Sequence, residues 1–297
     1  MASQEKVEFS GGDSALTGNL FLPGGTGPAP GIVVAGTWTS VKEQMADRYA
    51  ERLADRGFAA LSFDFTGYGE SEGEPRDYEA PELKVRDIHH AVTFLAGHSA
   101  VDATRLGALG VCAAAMYMSG NAVDDPRVRS LALVAPWLHD PEICREVYGG
   151  EEGVAGKLAE AARARTEYEA TGVVEYVPVV SGSHLRAAMP FDIDFYLNPG
   201  RGGLAQWPNR FAVMEWREWL EYDSISLAPR LTQPVLLVHS EDAAIPDGAR
   251  RFYAALPGPK EFLWIEGDQF AFYDQDPQVT TAVNAAAAHF TRTLPPE

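Results

Sequence analysis

The side chain with the most chemistry around it is Cys112, in the run Gly110-Val111-Cys112-Ala113-Ala114. Residues 106–111 are an apolar run of the length a central parallel strand needs. Residues 113–118 are helix formers with small side chains on the first turn. A nucleophile set between strand and helix, with small neighbours, is the pattern of a nucleophile elbow. The tight turn strains the nucleophile and lifts it above the sheet. The next backbone N–H and the helix N-terminus then face a developing oxyanion. Most such elbows carry serine; this one carries cysteine, and Ala114 replaces the last glycine. An ordinary thiol, with a pKa of about 8.5, is a few per cent thiolate at neutral pH, and a helix N-terminus lowers that pKa. Cysteine therefore works with a poorer base than serine needs. The competing reading is a buried structural cysteine in an α/β core.

Such a residue must be held by the elements before and after it. Residues 7–9 and 16–22 read as two antiparallel strands around Gly11-Gly12-Asp13. Residues 31–35 form a buried strand ending in Gly36-Thr37-Trp38-Thr39-Ser40, and a helix is predicted from there to about residue 55. A strand over 58–63 runs into a glycine-rich loop at 64–73. A helix over 82–96, the elbow, and a strand over 128–135 follow. Continuous apolar strands alternating with helices predict a parallel sheet covered on both faces. The rhythm stops after Pro136. It resumes with a strand at 234–240, a helix at 247–256, a strand at 261–265 and a helix at 277–293. The predicted organisation is an α/β core of residues 1–136 and 230–297 with a helical cap at 137–229. The cap would cover the C-terminal edge of the sheet, where open α/β sheets bind ligands. It holds a long charged helix to about residue 170, then Phe195, Tyr196, Trp207, Phe211, Trp216 and Trp219. These line a pocket or form the cap's own core; pockets and cores use the same residues.

The chain has 297 residues, 46% of them hydrophobic, enough for one large core plus a cap. Lys+Arg 24 against Asp+Glu 42 leaves a net charge of −18. A surface that acidic repels nucleic acid and anionic membranes. No stretch approaches the ~20 apolar residues of a membrane span, and the N-terminus lacks a signal-peptide run. Only Cys112 and Cys144 are present, which gives no disulfide framework. The expectation is a soluble, cytoplasmic protein with reduced thiols. Without His-Glu-x-x-His, Cys-x-x-Cys or a dinucleotide glycine fingerprint, no metal or organic cofactor is expected. The expected partner is a small-molecule substrate, with a homodimer left open.

The residues resemble the α/β-hydrolase fold, and within it relatives of dienelactone hydrolase and a cysteine-bearing, polyketide-transferase-like group. The resemblance covers most of residues 15–135 and 230–293. Gly110 to Ala114 match the elbow. Residues 36–43, with Thr37, Trp38 and Glu43, resemble the loop that supplies the second oxyanion N–H beside that of Ala113. Asp64-x-x-Gly67-x-Gly69-x-Ser71 resembles the loop after the following strand. Residues 238–246 resemble the segment carrying the triad acid, which falls on Asp242. The catalytic His should stand in a Gly-x-x-His-x-x-x-Tyr-Asp type of run, and counting back from Tyr273-Asp274 its position holds Gln269. A glutamine amide donates and accepts hydrogen bonds but takes no proton near neutral pH, so a Ser–His–Asp logic does not carry over whole. Among the seven histidines, His139 follows the strand that should neighbour the elbow strand, and it is the candidate base. Glu43 is a weaker candidate to contact the thiol.

The resulting expectation is hydrolysis or acyl transfer on an ester, lactone or thioester of a small organic acid. Cys112 attacks, Ala113 and the Thr37-Trp38 loop hold the oxyanion, Asp242 is the acid and His139 the base. Trp207 is expected in the substrate pocket. Two alternatives stand beside it. One is a non-hydrolytic lactonisation, cyclisation or isomerisation in which the missing His suppresses water attack. The other is a small-molecule binding protein on a degenerate scaffold.

Overall fold

The computed structural model describes residues 2–296. The chain enters through an antiparallel pair, β1 (Ser3–Ser10) and β2 (Ala15–Leu22). Then β3 (Ala29–Ala35), α1 (Ala46–Ala54), β4 (Ala59–Phe63), α2 (Pro81–Gly97), β5 (Val101–Val111), α3 (Ala114–Asp124) and β6 (Val128–Val134) alternate. The chain next leaves the sheet for α4 (Pro141–Val147), α5 (Gly150–Thr171), β7 (Tyr176–Val177), α6 (Asp194–Leu197), β8 (Phe211–Ala212) and α7 (Trp216–Glu221). It returns with β9 (Val235–His239), α8 (Pro246–Ala255), β10 (Lys260–Trp264), α9 (Ala271–Asp274) and α10 (Gln278–Thr293).

Eight strands form one sheet in the order β1-β2-β4-β3-β5-β6-β9-β10. All neighbours from β4 to β10 are parallel. Every residue of β3, β4 and β9 is buried, as strands covered by helices on both faces require. Strand order reverses at β3, with β4 on one side and β5 on the other, so a crevice opens at the carboxyl ends of β3 and β5. Register aligns those ends: Ala35 faces Gly110, Val111 faces Val134, and Val134 faces Val238. The residues that follow crowd one edge, and four non-glycine residues there adopt positive φ: Thr39 (55°), Cys112 (56°), Ala135 (40°) and Ile245 (43°). Strain of about 1–3 kcal/mol each persists only where surroundings over-determine the backbone.

The helix predicted directly after the Gly36–Ser40 loop starts later, at Ala46, behind a 3₁₀ turn at Lys42–Gln44. Asp64 explains the delay. It accepts the Lys42 backbone N–H at 2.8 Å and the Lys42 ammonium at 2.7 Å, pinning the turn to the end of β4. The short helices α4, α6 and α7 left no periodic signal. α4 is set by Pro141 at its first position and by Asp140, whose carboxylate caps the Glu142 and Ile143 N–H groups at 3.0 Å. No described helix is long and apolar enough to cross a membrane.

Candidate active site

Cys112 stands at the turn between β5 and α3 with its φ at 56°. Its N–H donates to the Val134 carbonyl at 3.0 Å, and its own carbonyl accepts from Trp137 at 3.0 Å. Gly110 is required here: a Cβ would lie 2.7 Å from the backbone of Ala114 on the first turn of α3. Among the described residues no backbone carbonyl takes the N–H of Trp38 or of Ala113, and the latter faces the Cys112 sulfur. Both residues line the cavity that holds Cys112, so the two donors are available to an oxyanion.

That cavity measures 570 Å³ and is mostly apolar. The core supplies Thr37, Trp38, Cys112, Asp242, Gln269 and Tyr273. The insertion supplies Trp137, Tyr148, Lys157, Phe191, Tyr196 and Trp219, so the crevice at the strand ends has a roof. Trp207, expected to line the pocket, does not. It stacks on Tyr196 with centroids 5.1 Å apart and donates its indole N–H to the Thr39 carbonyl at 2.7 Å. It braces the loop after β3 from behind. Phe195 and Trp216 are buried in the same way, against Tyr273 and Trp38 respectively. The insertion's aromatics thus divide between pocket and core. A larger cleft of 740 Å³ opens between α2 and α7, but it is lined by Glu82, Arg86, Arg217 and Glu218 and has no nucleophile.

Gln269 sits where the resemblance predicts a base, and its amide is held by three hydrogen bonds. Its oxygen accepts the Ala244 N–H at 3.0 Å, and its nitrogen donates to the Ala135 carbonyl at 3.0 Å and the Tyr273 hydroxyl at 3.2 Å. It therefore ties the acid-bearing loop, the end of β6 and α9 together behind the thiol. Gln269 makes no bond to Asp242. Asp242 is exposed on the cavity wall, and its carboxylate has no hydrogen-bond partner among the described residues.

His139 corrects the sequence expectation most sharply. It is fully buried and does not line the cavity. Its Nδ1 accepts the Trp137 indole N–H at 2.7 Å, so Nε2 carries the proton and donates to the Trp219 carbonyl at 2.9 Å. Burial pushes its pKa down to about 4, keeping it neutral. A ring with both nitrogens used and no path to the thiol is a strut for two cavity tryptophans, not a base. Glu43 is likewise elsewhere. It pairs with Lys42 at 2.7 Å, within a cluster completed by Asp64 and Glu70. Three carboxylate oxygens there lie within 4.8 Å of one another, with the Lys42 ammonium as their counter-charge. The cluster clamps the loop after β3 and does not reach Cys112.

Sequence reasoning missed Glu79. It is wholly buried; one oxygen accepts the Thr39 N–H at 2.7 Å and the Tyr68 hydroxyl at 3.1 Å. The Tyr117 hydroxyl donates to the other at 2.5 Å, and the Lys84 ammonium pairs with the carboxylate at 2.7 Å. Thr39 directly follows Trp38, so this buried ion pair fixes the loop that presents the Trp38 N–H to the cavity. A single glutamate between a loop and a helix carries no pattern; only the fold reveals its target.

Burial raises the Cys112 pKa above its ordinary value, while the Thr37 and Tyr273 hydroxyls, the Ala113 N–H and the Gln269 amide favour the thiolate and offset part of that. The lowering expected from the helix N-terminus alone is outweighed. Below a thiol's pKa the thiolate fraction rises about tenfold per pH unit. Alkylation of Cys112 by iodoacetamide is therefore expected to climb steadily from pH 6 to pH 9, with no plateau near the ordinary imidazole pKa of about 6.5. Cys144, buried outside the cavity with its pKa pushed up to about 12, should react far more slowly. Peptide mapping against pH reads both; a plateau below pH 8 would mean that an unrecognised base activates the thiol.

A model of the alpha/beta hydrolase family matches residues 20–283. A thiohydrolase from Aspergillus aculeatus is 28% identical, over 88% of this chain and 84% of its own. A polyketide transferase from Stachybotrys chlorohalonatus is 26% identical, over 89% of each. The crystal structure of a hypothetical protein from Pseudomonas aeruginosa superposes with a TM-score of 0.85 at 25% identity, covering 99% of this chain and 94% of that one. The matched span takes in the elbow, the loop after β3 and the segments of Asp242 and Gln269, and the chain belongs to the alpha/beta hydrolase family of enzymes.

Proposed function

We propose that this protein carries out acyl transfer or hydrolysis through Cys112, on an ester, lactone or thioester of a small organic acid. The carrying observation is a cysteine at positive φ on the floor of an apolar cavity, beside the backbone N–H groups of Ala113 and Trp38, which no backbone carbonyl takes. In the forward step Sγ attacks the acyl carbon and the carbonyl oxygen becomes an oxyanion held by Ala113 and Trp38. The bond to the leaving oxygen or sulfur breaks, and that atom departs with the thiol proton as an alcohol or thiol. The Tyr273 and Thr37 hydroxyls, 3.3 Å apart and within reach of Sγ, are the groups that can pass the proton along. Attack by water, or by a second nucleophile, on the thioester releases the acid or the transferred product and returns the proton to sulfur. The names of the fungal relatives, a thiohydrolase and a polyketide transferase, support both outcomes. Residues 137–229 serve as the lid, and both cysteines are free, which suits a reducing, cytoplasmic setting.

A second reading is favoured by Gln269. Among the described residues lining the cavity there is no histidine. General-base help worth about 10²–10⁴-fold is then lacking for water, and the thioacyl enzyme is left for a better nucleophile, within the same substrate or from another. Incubation with p-nitrophenyl acyl esters followed by intact-mass and peptide analysis tests the proposal. A thioacyl adduct on Cys112, formed as p-nitrophenolate is released, is the expected result. Saturable binding of the ester with neither adduct nor release would leave a binding protein on a hydrolase scaffold.

A further inference from the structure

The cavity has one feature that acylation at Cys112 does not use. Lys157, on α5, is the single cationic side chain among the described residues that line it. The side chain is half-buried, and its ammonium lies 3.9 Å from the centre of the Trp216 ring and 5.6 Å from that of Tyr148. It makes no ion pair and no hydrogen bond with any described residue, although the chain carries 42 acidic residues. Elsewhere this protein pairs its cations freely: Lys42 meets three carboxylates and Lys84 meets Glu79. The charge of Lys157 is steadied by two aromatic faces and, from beyond ion-pair distance, by Glu160, while burial lowers its pKa. A partly desolvated ammonium with three donors and no acceptor has its hydrogen-bonding capacity in reserve.

The charges around the cavity are also polarised. Its two carboxylates, Asp242 and Asp268, belong to loops of the core, whereas Lys157 belongs to the insertion. An anionic group entering the cavity is repelled by the core wall and drawn to the roof. We propose that Lys157 is the specificity determinant of this site, receiving the carboxylate of an acyl substrate that carries a second acid group remote from its reacting carbonyl. The substrate is then a half-ester or half-thioester of a dicarboxylic acid, with an apolar middle against the tryptophans and tyrosines. This inference rests on the reading that Cys112 is acylated. The carboxylate–ammonium contact also orients the acyl group, carbonyl toward Cys112 and charge toward α5.

The test separates binding from chemistry. Monomethyl and dimethyl esters of succinate, adipate and suberate are titrated against wild-type protein and Lys157→Met by calorimetry, which needs no reaction at Cys112. Mono-p-nitrophenyl adipate and p-nitrophenyl hexanoate are then compared for the rate of Cys112 acylation. A charge-assisted contact predicts that wild type binds at least one half-ester about tenfold more tightly than its diester, and acylates faster from the charged ester. Lys157→Met should abolish both preferences, losing far more toward the charged ester than toward the neutral one, and Lys157→Arg should restore part of the binding preference. Equal binding of half-ester and diester by wild type overturns the proposal, as does an equal loss toward both esters in Lys157→Met. A binding preference without any Cys112 adduct would instead leave Lys157 in place and remove the covalent reading.

Discussion

Cys112→Ala should form no thioacyl adduct and should lose turnover of the natural substrate by about 10³-fold or more, the scale seen when a nucleophile is deleted. The cavity should survive the change. Cys112 occupies a strained turn, but its backbone bonds to Val134 and Trp137 do not involve sulfur, and alanine fits the same conformation at a modest cost. Ligand binding by the variant, read by calorimetry, separates lost chemistry from lost structure. Cys112→Ser should be nearly as inactive. A hydroxyl needs a strong neighbouring base to become a nucleophile, and the groups around this position are two hydroxyls, an amide and a backbone N–H. Full turnover by Cys112→Ala would end the covalent mechanism. Full turnover by Cys112→Ser would mean that a base operates here after all.

The second large effect is a gain. Gln269→His should shorten the life of the thioacyl enzyme in water by about 10²-fold, the lower end of what a positioned general base contributes. The local geometry admits the change. Gln269 makes three hydrogen bonds with one acceptor and two donors, whereas a neutral imidazole offers one of each, so one bond is surrendered. The carboxylate of Asp242 lines the same cavity without a hydrogen-bond partner among the described residues, and the predicted gain requires it to turn toward the new ring N–H. Quenched-flow mass analysis after a single acylation reads the deacylation rate directly. Unchanged lifetime in a variant with native thermal stability would show that the absence of a base at this position is not what limits hydrolysis. His139→Phe would be the wrong place to look for that effect, since its ring props Trp137 and Trp219 and never meets the thiol.

Local sequence was enough for the core and for the turn that carries Cys112. Continuous apolar runs such as Gly31-Ile-Val-Val-Ala35 admit little besides a buried strand, and a parallel sheet follows when they alternate with helices. The elbow is legible because its demands fall on adjacent residues: Gly110 must lack a Cβ, Cys112 must sit at positive φ, and Ala113 and Ala114 must be small. The position of Gln269 was readable for the same reason, by its fixed distance from Tyr273-Asp274. The fate of its amide was not, since its three partners come from Ala135, Ala244 and Tyr273 on separate segments.

Tertiary structure decided what each remaining side chain faces. His139 lies five residues past β6, yet its ring turns away from the cavity because Trp137 and the Trp219 carbonyl claim both nitrogens. Glu79 and Lys157 carry no motif, and each acquires its role from a long-range neighbour, Thr39 across 40 residues and Trp216 across the insertion. The insertion's aromatics could not be sorted into pocket and core by type, because the same rings serve either use. A single tight turn writes its steric rules into consecutive residues. A cavity wall is assembled from segments whose separation in sequence leaves no spacing to read.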